Sequence, residues 1–532
     1  MEKKPISRHS KLIILTAVMA SLLEIIDTSI VNVAIPSMMG NLGATLDEIS
    51  WVVTGYIIAN AIVLPISSWM AQQMGRKFYY TSCILLFTAA SVACGMAPNL
   101  ATLVVFRIIQ GFAGGALLPT SQALIYESFP REMAGVASAI YGMSVMIGPT
   151  VGPTLGGYLT DHLGWRSIFN INLPLGLAVA ALSYFLVEDV GHDPAVAKEK
   201  RTGILKPAHL RTPVDRWGLT FLVVGVGSLQ YVLERGHAED WFDSKSIILC
   251  TLMAIASLVS LIWWELKTDH PILNLRYFKN PSFRSGILLM TALGGMLYGL
   301  IFVLPVFMSS ILGFTAQQTG EQFIPGALCA ALCMPIIGMQ LRKRDPRTLV
   351  LIGVVSLAIG GLLIGTFDAQ SSERTMFFPL LIRGIALSFL FVPINSTVLS
   401  QFTGAAIGQA AGLLNLCRQL GGSIAIAGFS TLLAQFQSQS YASLANHITP
   451  FDFAALATLK SVVPMMAGKM SSVVGMGTAN FEATKLLLFR IKKQAFVLAF
   501  QKTMILVVAT FSLALIPLRG LIAPKNTQGP KA

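Results

Sequence analysis

The stretch LLEIIDTSIVNVAIP, residues 22–36, sets two carboxylates, Glu24 and Asp27, inside an apolar run that begins just after Lys11. An ionised carboxylate at bilayer depth costs at least a few kcal/mol, so such groups face a water-filled cavity, find a partner or take up a proton. The rest of the chain decides whether this run is a membrane span. Of the 532 residues, 54% are hydrophobic and only 12% are charged. Soluble domains carry about 25% charged residues, so this chain has too little polar surface to cover a water-facing globule. Its apolar residues fall in blocks of about 20, the length that crosses a hydrocarbon core. The expected class is an all-α polytopic membrane protein, because a β-barrel would show short alternating segments instead. The opening MEKKPISRHSK and LIILTAVMA imitate a secretory signal, but the run continues past any cleavage point to Pro36, which suits an uncleaved span.

Apolar runs between turn and charge clusters predict spans at 12–35, 50–70, 78–96, 101–125, 135–159, 167–187, 217–234, 246–265, 284–311, 318–340, 348–366, 376–399, 410–434 and 496–518. An even number puts both termini on one side. The amino terminus and every second connection hold about 24 Lys and Arg residues, against about four in the opposite short loops. The positive-inside rule therefore predicts cytoplasmic termini, and the basic residues of the long outer segment 435–495 do not count against it. This distribution also explains the net charge of +13 without a nucleic-acid partner, since the cations sit between spans rather than on one patch. The six cysteines all lie in apolar runs and read as packing residues, not as metal ligands or disulfides.

A repeat with a constant offset of about 270–274 residues runs through the chain. AIPSMMGNLGAT (34–45) is echoed by VLPVFMSSILGFT (303–315), FRIIQGFAGGALLP (106–119) by IRGIALSFLFVP (382–393), and AGVASAIYG (134–142) by IGQAAGLLN (407–415). Such an offset is the mark of a duplicated half. It pairs spans 1, 4 and 5 with spans 9, 12 and 13, so two six-helix halves flank an extra pair, spans 7 and 8. Two parallel-related halves with a site between them is the major-facilitator plan. The domain boundaries expected are 1–187 for the first half, 188–283 for a linker and the inserted pair, 284–518 for the second half with its long outer loop, and 519–532 for a cytoplasmic tail.

Three motifs carry a family resemblance over nearly the whole chain. IIDTSIVNVAIP (25–36) resembles a first-helix acidic motif, FRIIQGFAGGALLP a fourth-helix arginine motif, and GPTVGPTLGG (148–157) fits the antiporter pattern G-x-x-x-G-P-x-x-G-G at every fixed position. The chain is similar to the fourteen-helix drug:proton antiporters of the major facilitator superfamily, EmrB-type exporters in particular. GSLQYVLERGHAEDWF (227–242) and TPFDF in the outer loop resemble the same group. The resemblance implies export driven by the proton gradient with no cofactor, a location in the bacterial inner membrane, and a periplasmic adaptor (an EmrA-type membrane fusion protein) that leads to an outer-membrane channel. One departure is the loop between spans 2 and 3, SWMAQQMGRK (68–77). There Ser68, Gln72 and Gln73 replace the usual Gly, Asp and Arg, which puts the usual charged latch in doubt.

Glu24 and Asp27 are the acids well inside a predicted span, and their i,i+3 spacing puts them on roughly one side of the helix. A carboxyl that alternates between dry and wet surroundings changes its proton affinity with conformation, which is the physical content of coupling. Arg107 falls in the same leaflet as Asp27 and is the expected relay partner; Arg383 and Arg418 are the other deep cations. Gly148, Pro149, Gly152, Pro153, Gly156 and Gly157 form a small-residue, bend-prone stripe, expected to pack tightly against the opposite half and seal the cavity. Asn32, Tyr56, Asn60, Gln110, Tyr141, Tyr298, Asn395 and Asn415 are the candidate substrate contacts, with Trp51 and Phe302 as further aromatic surface. The expected function is proton-coupled efflux of amphipathic or hydrophobic toxic compounds; a lipid, fatty acid, siderophore or other metabolite is the alternative cargo. An enzyme is not expected, since no H-E-x-x-H, nucleophile elbow or phosphate loop is present, and the antiporter motif argues against symport.

Overall fold

The computed structural model describes residues 7–188, 215–269, 271–447 and 476–522, without the side chains of 316, 447, 476–484, 486 and 487. Most of the basic 188–216 segment, the TPFDF stretch and most of the tail lie outside the described residues. The described residues hold 14 helices long and apolar enough to span a membrane: α1 (Arg8–Leu42), α2 (Leu46–Met74), α3 (Arg76–Gly95), α4 (Leu100–Glu127), α5 (Arg131–Leu163), α6 (Ser167–Leu186), α7 (Arg216–Arg235), α8 (Lys245–Lys267), α9 (Pro281–Leu312), α10 (Gln317–Gln340), α11 (Pro346–Ile364), α12 (Glu373–Leu399), α13 (Ala405–Asn446) and α14 (Leu488–Leu518). Each corresponds to one predicted span.

The duplication is visible in local chemistry. Gly43 and Gly313, 270 residues apart, end α1 and α9 with positive φ of 61° and 75°. A residue in this left-handed conformation closes a helix with least strain when it lacks a Cβ. Two residues later Thr45 and Thr315 open α2 and α10 through capping boxes with Glu48 and Gln318. Each box satisfies backbone donors at both ends of the first turn. The same turn is thus built twice, once in each half.

In the first half α1 packs on α5, α2 on α4, and α3 on α4 and α6; in the second, α9 packs on α13, α10 and α11 on α12, and α13 on α14. The halves meet where α5 lies along α10 and α12 and where α13 lies along α2 and α4. The inserted helix α7 touches both halves. Arg235 donates to Ser50 Oγ of α2 at 2.8 Å, while Gln230 donates to Ser423 Oγ of α13 at 2.6 Å. In the following loop Trp241 Nε1 donates to Thr431 Oγ1 at 3.0 Å. The Glu239 carboxylate in that loop accepts from Ser246, Tyr231 and Ser244, and these bonds, Ser246 first, hold it below the usual carboxylate range. Helix α8 exposes Leu249, Leu252, Ile255, Val259 and Trp263, a face whose natural solvent is lipid.

The outer segment, expected to be partly helical or hairpin, is helical in its described residues. The α13 helix continues to His447, 43 residues in all, and a 37-residue helix starting at Met476 leads into α14. A 43-residue helix is about 64 Å long, roughly twice the hydrocarbon thickness of about 30 Å. The polar run from Gln435 to His447 therefore stands beyond the membrane on the face opposite the termini.

Candidate functional site

Asp27 is fully buried on α1, and its carboxylate is saturated. Arg107 Nη1 of α4 donates to Oδ2 at 2.6 Å, and Gln110 Nε2 and Asn172 Nδ2 both donate to Oδ1 at 2.8 Å. Arg107 completes its own shell with Val52 O at 3.1 Å and Gln110 Oε1 at 2.9 Å, and its guanidinium lies 4.2 Å from the Tyr56 ring centroid. A buried ion pair of this kind is tolerable only when hydrogen bonds take up the remaining polar atoms, and here both Asp27 oxygens and the Nε and Nη1 of Arg107 are engaged. The site is thus closed and internal to the first half. In this conformation Asp27 faces neither acyl chains nor open water.

Glycines make the cluster possible. A Cβ on Gly111 would sit 2.4 Å from Tyr56 O, and one on Gly115 2.6 Å from Asn60 O. Their absence lets α4 approach α2, so that Arg107, Tyr56 and Asn60 meet the acids of α1 from two sides. Glu24, one turn from Asp27, accepts from Asn60 Nδ2 at 3.0 Å and Tyr56 Oη at 3.4 Å. It lies nearer the boundary between the halves, within electrostatic range of Arg418 on α13.

A second polar network crosses that boundary. Tyr141 Oη and Arg418 Nη2 both donate to Asn415 Oδ1 at 3.0 Å; Asn415 Nδ2 donates to Gln122 Oε1 at 2.7 Å, and Gln122 Nε2 to Asn395 Oδ1 at 2.8 Å. Ser138 Oγ donates to Val392 O at 3.1 Å, and Ser68 Oγ to Ala405 O at 3.3 Å. These residues lie toward the helix ends on the face that carries the termini, so the halves are tied together there. The departure in the 68–77 loop has a physical reading: the contact between halves is made by the neutral Ser68. Arg76 instead pairs with Glu127 of α4 within the first half.

Most of the candidate substrate contacts have other partners. Tyr56, Asn60 and Gln110 serve the acids, Tyr141, Asn395 and Asn415 tie the halves, and the Trp51 ring stacks near Tyr231 of α7, with centroids 6.0 Å apart. Tyr298 and Phe302 of α9 are half-buried, and Asn32 is exposed. The glycine stripe is corrected as well. Added Cβ atoms on Gly148, Gly152 and Gly156 would meet Ile25, Ser29 and Ile30 of α1 at 2.4, 1.9 and 2.7 Å. The stripe clamps α5 to the acid-bearing helix of its own half, while the intervening Pro153 and Thr154 face Gly320 of the opposite half. Asn172 and Gln122 were not among the candidates. Both are amides inside predicted apolar runs, the same signal that marked Asn60 and Asn415.

The description Major Facilitator Superfamily matches residues 17–426. The chain belongs to the major facilitator superfamily. It is 32% identical over 501 residues to the Escherichia coli K12 multidrug export protein EmrB, covering 94% of this chain and 93% of that protein. It is 35% identical over 434 residues to the Neisseria gonorrhoeae fatty acid resistance protein FarB, covering 81% and 82%. Among solved structures, the proton:xylose symporter XylE superposes with a TM-score of 0.56 at 17% identity, covering 81% of this chain and 92% of that one. The human organic anion transporter MFSD10 gives 0.54 at 13%, covering 94% and 99%. These two confirm the major-facilitator fold.

Proposed function

We propose that this chain exports amphipathic, hydrophobic compounds in exchange for protons, by alternating access between the two halves. The observation that carries the proposal is the Asp27–Arg107 pair, an acid and a cation buried together at the middle of α1 with both carboxylate oxygens hydrogen-bonded. Proton exchange with water at Asp27 then requires α1 to shift against α4 and α6. Glu24 is the complementary element. Arg418, a cation within its electrostatic range, sits on the other half, so the electrostatic surroundings of Glu24 change whenever the halves rock. The coupling is then a difference in proton binding between two states of one structure.

The identities to EmrB and to FarB support export, and FarB favours the second reading of the cargo, a fatty acid or other natural amphipath. We further infer cytoplasmic termini from the Lys and Arg count, a place in the inner membrane, and the division of the chain at 187 and 284. The helical extensions beyond α13 and α14 are the surface we assign to a periplasmic adaptor feeding an outer-membrane channel.

Inside-out vesicles with an acidic lumen test the reading. Wild-type protein is expected to accumulate a fluorescent amphipathic dye while the gradient lasts and to stop when an ionophore collapses it. Dye movement indifferent to the gradient would remove proton coupling; dye leaving the lumen would make the chain a symporter.

A further inference from the structure

Arg107, Arg383 and Arg418 are all buried inside the spans, but they are not equally satisfied. Arg107 has a carboxylate, a backbone carbonyl and an amide. Arg383, its counterpart in the repeat, stacks near the Phe323 ring at 5.5 Å, with its Nε unpartnered among the described residues. Arg418 is 97% buried on α13, donates to Asn415 and lies against Tyr141; among the described residues its Nε and Nη1 have no hydrogen-bond partner. An unmade hydrogen bond on a buried charged donor is costly, so a group in this state is expected to have a ligand at some point in its cycle. The second half does not supply one. Among the described side chains of α9 to α14 and their connections the acids are Glu321, Asp345, Asp368 and Glu373, all exposed. Glu24 approaches from the first half but is engaged by Asn60 and Tyr56 and forms no described ion pair with Arg418.

The surroundings of Arg418 indicate what fits. It shares Asn415 with Tyr141 of the first half, so it lies where the halves meet, and Tyr298 of α9 is within electrostatic range. Tyr298 and Phe302, one turn apart and half-buried, give apolar surface on the helix that packs along α13. We propose that Arg418 is the head-group site for an anionic amphipath: its free donors take a carboxylate, and the chain of the ligand lies along α9. Glu24 then acts as the opposing charge that penalises anions unless it is protonated or drawn away. This proposal rests on the exporter reading above and names its substrate class.

The test uses the full chain in lipid nanodiscs and compares laurate with dodecyltrimethylammonium, which has the same chain length and the opposite charge. Loss of charge-assisted hydrogen bonds of this kind changes affinity about ten- to a hundredfold. Wild type is expected to bind laurate at least about tenfold more tightly than the cation. Arg418→Gln is expected to lose that preference, Arg418→Lys to keep part of it, and Glu24→Gln to strengthen it. Equal or tighter binding of the cation by wild type would overturn the site, and so would unchanged laurate binding by a monodisperse Arg418→Gln. If Arg418→Gln does not fold, the wild-type comparison decides alone. Gradient-driven dye uptake without laurate preference would remove the anion site and leave the exporter; laurate preference without gradient-driven uptake would do the reverse.

Discussion

Asp27→Asn is expected to reduce gradient-driven dye accumulation in inside-out vesicles to that of vesicles lacking the protein. Asparagine keeps the size of the side chain and can still accept from Gln110 or Asn172, but it can neither carry a proton nor neutralise Arg107. Removing one member of a buried ion pair costs about 3–5 kcal/mol, largely because the other charge is left uncompensated. Part of that is retained here, since Arg107 keeps Val52 O, Gln110 Oε1 and the Tyr56 ring. A lowered thermal midpoint is therefore expected alongside the transport loss. The two effects separate in Asp27→Asn/Arg107→Gln. Without the stranded cation, stability recovers toward wild type, while transport stays absent because no proton carrier has been restored. The coupling in such a cycle reads the pair directly. An Asp27→Asn protein that inserts and transports normally would remove Asp27 from the proton path, and Glu24 would become the remaining acid.

How much of this could be read beforehand depends on the range of each interaction. The spans were legible because apolar length is a local property, and the duplication because Gly43–Thr45 and Gly313–Thr315 keep the same turn chemistry at a fixed offset. The approach of Asp27 and Arg107 was legible from depth alone, since topology puts both in one leaflet. Helix rotation was not. Asn172 reaches Asp27 from 145 residues away, and Gln122 reaches Asn395 across 273. Nothing in either local sequence says which way an amide in an apolar run will face. The same ambiguity covers Asn60 and Gln110, expected to face substrate and here hydrogen-bonded to the acids, and the glycine stripe, which packs on α1 rather than on the opposite half. The outer ends of α13 and α14 were legible only as partly helical or hairpin, because a helix leaving the membrane turns polar all round and loses the signal that marks it inside.

The corrected position of the glycine stripe gives the second large effect. Gly152→Val is expected to abolish transport although every titratable group is kept. Its Cβ would lie 1.9 Å from Ser29 Oγ and 2.9 Å from Ser29 Cβ, with Ile30 N at 3.2 Å, so the clash is partly with α1 backbone and a rotamer change alone cannot relieve it. Overpacking of this kind costs typically about 1–3 kcal/mol and is relieved by moving elements apart. The element that moves is α1, and one turn earlier it carries Glu24 and Asp27. A shift of a few tenths of an ångström stretches the 2.6 and 2.8 Å bonds that hold Asp27. Ser29→Ala in a Gly152→Ala background removes the closest atom and is expected to recover part of the lost activity. The internal control is Gly157→Ala. It belongs to the same sequence pattern, yet its Cβ would meet only Val33, at 3.9 Å, which is ordinary contact, so dye uptake and thermal midpoint should stay close to wild type. If Gly157→Ala were as damaging as Gly152→Val, the stripe would act through something other than its fit against α1; if Gly152→Val transported normally, α1 would not need to be held where the structure places it.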